Sequence, residues 1–139
     1  MKVAIVYEST RGRTLAMAKA FCEGVESASM ECNLIDAKDF EGIQDACAIA
    51  VGSSTRMKRP LPHVRRVLSE LSNLSELPAA SFGSYGWSGE APDEIASLLE
   101  KSGAALVDSQ PIKAKDYPSE EILESCKRLG RALAERCSK

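Results

Sequence analysis

Short apolar runs alternate with segments of helical hydrophobic spacing along almost the whole chain. This alternation limits the possible folds more than any other feature, because a strand that is apolar on both faces must be covered by helices on both sides. The sequence therefore predicts an α/β domain with right-handed crossovers and a doubly wound parallel sheet. The predicted strands cover residues 3–7, 31–36, 47–52, 79–84 and 104–112, and the predicted helices cover residues 14–26, 61–77 and 92–102 together with a last helix after Ser119.

Length and composition predict a single domain over residues 1–139 that is large enough to bury a core. Hydrophobic residues make up 44% of the chain and charged residues 27%, which is typical of a soluble globular protein. The net charge of −2 argues against general binding to nucleic acid. The N-terminus enters the first predicted strand without a signal peptide, and no apolar run reaches the roughly 18 residues of a membrane span. We therefore expect a cytoplasmic protein with neither a nucleic-acid nor a membrane partner.

The cysteines are odd in number and widely spaced, and none of them forms a CxxC pair. His63 is the only histidine that could complete a metal site with them. Most of the cysteines fall on apolar positions of predicted helices or strands, where a thiol packs as a small hydrophobic group. The sequence therefore predicts reduced thiols and no metal site. The residues concerned are Cys22, Cys32, Cys47, Cys126 and Cys137.

A polar octapeptide from Tyr7 to Thr14 joins the first predicted strand to the first predicted helix. It supplies three hydroxyl groups, a glycine suited to positive φ at Gly12, and a helix N-terminus whose amide groups lack partners. The helix dipole stabilises an anion there by about 0.3–2 kcal/mol, and Arg11 and Arg13 would add charge-assisted contacts. The octapeptide therefore predicts a phosphate-binding loop. The alternative is an ordinary strand-to-helix turn with a threonine cap.

Two more polar loops follow predicted strands, one from Ser53 to Pro60 and one from Tyr85 to Glu90. The carboxyl ends of parallel strands meet at one edge of a sheet, where ligands of open α/β folds bind. The second of these loops holds the only tryptophan, Trp87, between two glycines. An aromatic ring in that position suits contact with a flat ligand, although it could also pack over a helix end. The three loops together favour a phosphorylated, planar and largely apolar cofactor over a sugar phosphate.

The octapeptide resembles the phosphate motif of flavodoxins, in which Ser9, Thr10, Gly12 and Thr14 take the hydroxyl and glycine positions. The segment GSYGWSGE at 83–90 looks like the third FMN loop in the C-terminal flavodoxin domain of flavodiiron proteins, and the likeness continues through 111–115 and 120–130. This resemblance implies a five-stranded parallel sheet in the order 2-1-3-4-5, noncovalent FMN, and electron transfer. The chain looks like a stand-alone version of that domain, because one histidine cannot build a diiron site.

Carried over residue by residue, the resemblance implies three groups of cofactor-binding residues. They are Ser9, Thr10, Arg11, Gly12, Arg13 and Thr14 in the first loop, Ser53, Ser54, Thr55 and Arg56 in the second, and Ser84, Tyr85, Gly86, Trp87, Ser88 and Gly89 in the third. The second loop departs from the family pattern Ser-Pro-Thr-x-Asn, since it has neither the proline nor the asparagine. Its contacts are therefore the ones that the resemblance supports least.

Cationic side chains without any acid occupy the eleven residues from 56 to 66, beside the expected flavin edge where typical flavodoxins are acidic. This basic segment contains Arg56, Lys58, Arg59, Arg65 and Arg66. It is either a solvated basic face, a docking surface for an acidic redox partner, or a binding surface for the phosphates of a nicotinamide nucleotide.

The sequence predicts an FMN-binding electron carrier that shuttles electrons between redox partners, with no catalytic residue of its own. The alternative is an FMN-dependent NAD(P)H or quinone oxidoreductase. A hydrolase is a third, disfavoured class, because Gly86-Trp87-Ser88-Gly89 lacks the G-x-S-x-G spacing of a nucleophile elbow and His63 would have to be the base.

Overall fold

A parallel sheet flanked by helices forms the centre of the computed structural model, which describes residues 2–43 and 45–137. The strands are β1 (Lys2–Glu8), β2 (Glu31–Asp36), β3 (Ala46–Ser53), β4 (Thr55–Arg56), β5 (Arg59–Pro60), β6 (Pro78–Tyr85), β7 (Ala105–Leu106) and β8 (Ile112–Lys115). The helices are α1 (Arg13–Ser27), α2 (Pro62–Glu70), α3 (Ala91–Lys101) and α4 (Glu120–Cys137), and Ala37–Asp39 forms a 3-10 turn. None of the described helices is both long and apolar enough to cross a membrane.

The strand order confirms the predicted flavodoxin-like topology. Strands run β2-β1-β3-β6, and the last position beside β6 is shared by β7 and β8. β7 pairs with the start of β6, at Pro78 and Ala79, whereas β8 pairs with its end, from Phe82 to Tyr85. The predicted fifth strand is therefore two short parallel pieces separated by an irregular segment.

β1 shows why the central strands are continuous apolar runs. Val3 and Ile5 pack into the core beneath α1 and α4, whereas Ala4 and Val6 pack into the core beneath α2 and α3. Each of these four side chains is at most 3% exposed. Both faces of β1 are therefore covered by helices, as the apolar pattern predicts.

The helix predicted over residues 61–77 was too long, because α2 ends at Glu70. Asn73, Ser75 and Glu76 have positive φ, which a right-handed helix does not allow. The amides of Leu74 and Glu76 instead donate to the carbonyl oxygens of Ser102 and Gly103 after α3. This segment is therefore fixed by the end of α3 rather than by its own helical bonds.

The predicted loop from Ser53 to Pro60 contains a small hairpin, β4–β5, that the sequence analysis did not predict. Thr55 pairs with Pro60 and Arg56 pairs with Arg59. The turn between them places Met57 at φ 52° and Lys58 at φ 66°. Two positive φ values indicate a type I′ turn, which normally has asparagine and glycine at these positions. The absence of that turn signal is why the hairpin was missed.

The prediction of five reduced thiols was wrong. The structure joins Cys22 of α1 to Cys32 of β2, and Cys47 of β3 to Cys137 of α4. Cys126 is the free cysteine, and its burial raises the pKa of the thiol to about 12. Pairing depends on distances between chain segments, so the spacing of the cysteines in the sequence could not reveal it.

Candidate functional site

Three hydroxyl groups, from the first turn of α1, the residue after β3 and the end of β6, meet beneath the carboxyl edge of the sheet. The Oγ1 of Thr14 lies 2.8 Å from the Oγ of Ser84 and 3.2 Å from the Oγ of Ser54. Thr14 is fully buried and Ser84 is 2% exposed. The three loops that the sequence analysis singled out are therefore held together by direct hydrogen bonds, at the ends of β1, β3 and β6.

The N-terminus of α1 differs from those of the other three helices. A side chain accepts a hydrogen bond from the first turn of α2 (Glu8 from Val64 N), and the first backbone amide of α3 donates to Thr55. In α4, the Oγ of Ser119 accepts a hydrogen bond from Ile122 N in the first turn. The N-cap of α1 is Gly12, at φ 81°, and no side chain caps that helix. Since Ala16 N makes the first bond of α1, to Gly12 O, the preceding helical amides are free for an anion.

The loop before α1 adds positive charge around these amides. The Oγ of Ser9 accepts a hydrogen bond of 3.0 Å from Gly12 N, which closes the loop tightly. Arg13 Nη1 lies 3.5 Å from Asp116 Oδ1, so this guanidinium is held at the edge of the site. Arg11 is exposed. The arrangement suits a phosphate group better than any neutral group.

A cavity of about 370 Å³ opens between the three loops. Every residue that lines it belongs to the predicted cofactor-binding set: Thr10, Arg11, Arg13, Ser54, Thr55, Ser84, Tyr85, Gly86 and Trp87. The Trp87 side chain is 95% exposed at its rim. The cavity therefore combines hydroxyl groups, two guanidinium groups and two aromatic rings.

The remaining predicted residues do not line this cavity: Ser9, Gly12, Thr14, Ser53, Arg56, Ser88 and Gly89. Ser9, Gly12 and Thr14 shape the first loop from below, as described above. The Ser53 hydroxyl is fully buried, donates to Ser54 O and accepts from Leu61 N, so the protein backbone already uses it. Gly89 packs against the Tyr85 ring, where a Cβ would come within 2.9 Å of Cδ1.

Two carboxylates that the sequence analysis did not assign help to build the site. Glu8 ties the first loop to α2 through its bond to Val64 N, at 3.0 Å. Asp116 pairs with Arg13, and its amide donates to Tyr85 O at 2.7 Å. Glu8 is the last residue of β1 and Asp116 directly follows β8, and these positions at the carboxyl edge of the sheet were the signal that could have identified them.

The basic segment is less positive than its sequence indicates. Arg59 makes two hydrogen bonds to Glu94, and this contact lowers the pKa of Glu94. Arg66 pairs with Glu70 and also donates to Ala37 O. Only Arg56, Lys58 and Arg65 of the five cations are left without a carboxylate partner among the described residues.

A larger cavity of about 530 Å³ lies at the opposite edge, between residues 40–43 and residues 70–77. Its lining contains the acids Glu41 and Glu70 and no cation. It therefore does not suit a phosphorylated ligand.

Thr14→Val should weaken both the apo-protein and its cofactor site, because the hydroxyl groups of Ser54 and Ser84 lose a shared partner. The Ser84 hydroxyl is buried and the Ser54 hydroxyl is partly buried, so we expect the free energy of unfolding to fall by about 1–2 kcal/mol and FMN affinity to fall by about tenfold or more. Urea denaturation and FMN titration measure the two effects. Thr14→Ser keeps the hydroxyl and is the control. A Val variant that matches the unmodified protein in both measurements would contradict the role of the hydroxyl cluster.

An α/β sheet with an uncapped helix N-terminus and a cavity bordered by aromatic residues at its carboxyl edge is the arrangement of proteins that bind a nucleotide cofactor. A family profile described as Flavodoxin matches residues 5–130. The chain therefore belongs to the flavodoxin family, whose members bind FMN and transfer electrons.

Solved structures agree with this assignment. A flavodoxin from the domain Archaea is 38% identical with a TM-score of 0.93, and the match covers 100% of both chains. The flavodiiron protein from Giardia intestinalis is 29% identical with a TM-score of 0.92, and the match covers 99% of this chain and 36% of that one.

Curated relatives are longer proteins. A protein of Nostoc sp. described as a diflavin flavoprotein is 33% identical over a gapped alignment of 147 positions, which covers 100% of this chain and 25% of the relative. The anaerobic nitric oxide reductase flavorubredoxin of Escherichia coli is 28% identical over a gapped alignment of 143 positions, which covers 96% of this chain and 29% of the relative. The chain therefore spans about a quarter to a third of the length of these two relatives.

The described residues fit FMN on two independent counts. The uncapped N-terminus of α1 and the nearby arginines suit its phosphate. The exposed Trp87 ring and the cavity beside Tyr85 and Gly86 suit its flat ring system. The contact of each individual residue with FMN remains a prediction.

Proposed function

We propose that this chain is a single flavodoxin-like domain over residues 1–139 that carries electrons between redox partners on bound FMN. The observation that carries the proposal is the convergence of three hydroxyl-bearing loops on a cavity beside an uncapped helix N-terminus. The end-to-end match with an archaeal flavodoxin supports a carrier that acts by itself. The resemblance to the C-terminal flavodoxin domain of flavodiiron proteins supports the same cofactor and type of chemistry.

In this proposal different groups of residues contact different parts of the cofactor. The amides at the start of α1, with Ser9, Thr10 and Gly12 and the guanidinium groups of Arg11 and Arg13, would hold the phosphate. The Thr14, Ser54 and Ser84 hydroxyl groups would fix the floor of the site. Tyr85, Gly86 and Trp87 would lie along the flavin ring, and Thr55, Arg56, Ser88 and Gly89 would complete its surroundings. FMN, when bound, accepts and releases electrons one or two at a time.

A redox partner would approach at the carboxyl edge, beside the basic segment from Arg56 to Arg66. Arg56 and Lys58 carry this part of the proposal, because their side chains make no ion pair with a described carboxylate, whereas Arg65 lies near enough to Glu94 to help lower the pKa of that carboxyl. We also propose a cytoplasmic location. The structure contains two disulfides, and disulfides in cytoplasmic proteins are typical of hyperthermophiles rather than mesophiles. A cytoplasmic location therefore implies a hyperthermophilic source.

Titration of the apo-protein with FMN and with riboflavin tests the cofactor site. We expect FMN to bind much more tightly than riboflavin, because riboflavin lacks the phosphate that the first loop would hold. Quenching of Trp87 fluorescence and the visible flavin bands report binding. Equal affinities would contradict the phosphate loop, and a protein that takes up no FMN would overturn the proposed function.

Anaerobic addition of NADPH to the FMN-loaded protein separates a carrier from an oxidoreductase. A carrier needs a separate reductase, so its visible flavin bands should persist with NADPH alone. Rapid bleaching without a partner would favour the FMN-dependent NAD(P)H or quinone oxidoreductase instead.

A further inference from the structure

Large exposed hydrophobic side chains cluster at the edge of the sheet that carries the candidate site. Met57 is 91% exposed, Trp87 is 95% exposed and Tyr117 is 65% exposed. They lie on three different loops, which follow β4, β6 and β8. The fourth large hydrophobic residue exposed in the described part of the chain is Leu34 of β2, at 38%. Exposed apolar groups gathered around one site indicate a surface that another molecule covers.

Three cations border these apolar groups, and their side chains make no hydrogen bond or ion pair with a described residue: Arg11, Arg56 and Lys58. We call these cations, together with Met57, Trp87 and Tyr117, the docking face. Arg11 and Trp87 line the same cavity, and Arg56, Met57 and Lys58 form the tip of the β4–β5 hairpin, which begins at the cavity-lining Thr55.

Three acids near the docking face are paired with other cations, whereas Glu90, three residues after Trp87, makes no ion pair with a described residue and its Oε1 is buried without a hydrogen-bond partner. Glu94 binds Arg59 and Asp93 binds Lys113, each at 2.6 Å. Asp116 pairs with Arg13 at 3.5 Å. The acids beyond Tyr117, Glu120 and Glu121, belong to the first turn of α4 and have no cation partner. The docking face is therefore positive, although the chain as a whole has a net charge of −2.

We propose that the docking face binds an acidic redox protein through apolar contact at Met57 and Tyr117 and charged contact at Arg56 and Lys58, beside Arg11 and Trp87 at the mouth of the cofactor cavity. This inference rests on the proposed function, because the partner exchanges electrons at the same edge of the sheet. Each productive encounter oxidises this protein by one electron and reduces the partner by the same electron.

The exposed apolar groups separate this partner from the other candidates. The phosphates of a nicotinamide nucleotide would bind the cationic side chains but leave Met57 and Tyr117 exposed to solvent. A second copy of the chain that used the same face would bring like charges together, which is unfavourable. An acidic protein satisfies both the charge and the apolar surface.

Two haem proteins of opposite charge serve as probes: acidic cytochrome b5 and basic cytochrome c. The FMN-loaded protein, reduced with dithionite, is mixed with each oxidised cytochrome in an anaerobic stopped-flow instrument. We expect the rate constant with cytochrome b5 to fall about tenfold between about 20 and about 300 mM NaCl, because salt screens charge-steered association. The rate constant with cytochrome c should not fall.

Two substitutions in the hairpin turn test the two parts of the face. Lys58→Asp should slow the reaction with cytochrome b5 about tenfold at low salt, and the difference should vanish at high salt. Met57→Asn should slow it at both salt concentrations, because the apolar contact is not screened. Asp and Asn tolerate positive φ, so both variants keep the turn. Lys19→Asp, on the exposed side of α1, is the control and should change nothing.

Several results would overturn the docking face. One is a rate constant with cytochrome b5 that does not depend on salt, and another is a low-salt reaction that is faster with cytochrome c than with cytochrome b5. A third is a Lys58→Asp variant that binds NADPH more weakly but reacts with cytochrome b5 at an unchanged rate. A concentration-dependent dimer that Met57→Asn abolishes would assign the face to a second copy and overturn the proposal too. A protein that takes up no FMN contradicts the proposed function instead. In that case, calorimetric titration with cytochrome b5 at both salt concentrations still tests whether the docking face binds an acidic protein.

Discussion

Gly130→Ala is expected to lower the free energy of unfolding by about 3 kcal/mol, although alanine is the better helix former. A Cβ at this position of α4 would overlap the carbonyl oxygen of Phe21 in α1 and come within 3.1 Å of its Cα. The obstacle is backbone rather than a flexible side chain, so the two helices would have to separate. Urea denaturation of the apo-protein measures the loss.

The contact is reciprocal, because a Cβ on Gly24 of α1 would overlap the carbonyl oxygen of Lys127 in α4. Gly24→Ala should therefore destabilise the protein to a similar extent, and the double variant should lose less than the sum, since the first substitution already separates the helices. Ser97→Ala, on the exposed side of α3, is the control and should be neutral or slightly stabilising. Alanine variants as stable as the control would contradict the close packing of α1 against α4.

Removal of the Cys47–Cys137 disulfide should cost about 4–5 kcal/mol, and removal of the Cys22–Cys32 disulfide about 2.5–3 kcal/mol, in the chain-entropy description. The order follows from loop length, because the first joins residues 90 positions apart and the second residues 10 positions apart. Paired Cys→Ala variants compared by urea denaturation measure both losses. Cys126→Ala, which removes no disulfide, is the control.

Thiol titration gives an independent check on the same assignment. The native protein should react with no thiol reagent, because burial raises the pKa of the Cys126 thiol to about 12 and keeps it protonated. After denaturation without reductant a single thiol should react, and five should react after reduction. Five reactive thiols in the unreduced denatured protein would contradict both disulfides.

The strands of the sheet could be predicted well because their signal is local. β1, β3 and β6 are apolar on both faces, and the predicted bounds differ from the observed ones by one residue at each end. The end of α2 could not be predicted, because the amides of Leu74 and Glu76 are satisfied by the end of α3 rather than within their own segment. The β4–β5 hairpin was missed because Met57 and Lys58 carry no turn signal.

The residues around the cavity could also be predicted, because the ends of parallel strands necessarily meet at one edge of the sheet. The use of each side chain could not. Ser53 and Thr55 have the same hydroxyl chemistry as Ser54, yet Ser53 binds the backbone of Leu61 and Thr55 accepts from Ala91 N at the start of α3. Such differences depend on which helix end lies within hydrogen-bond distance.

The sequence by itself therefore determined the class of fold, the edge of the sheet that binds a ligand, and the residues that surround the cavity. These properties follow from hydrophobic periodicity and strand direction, which are encoded within short segments. Only the tertiary structure decided the pairing of Arg59 with Glu94, the two disulfides and the contact between Gly24 and α4. Each of these depends on the distance between residues in different elements of the fold, and that distance exists only once the chain has packed.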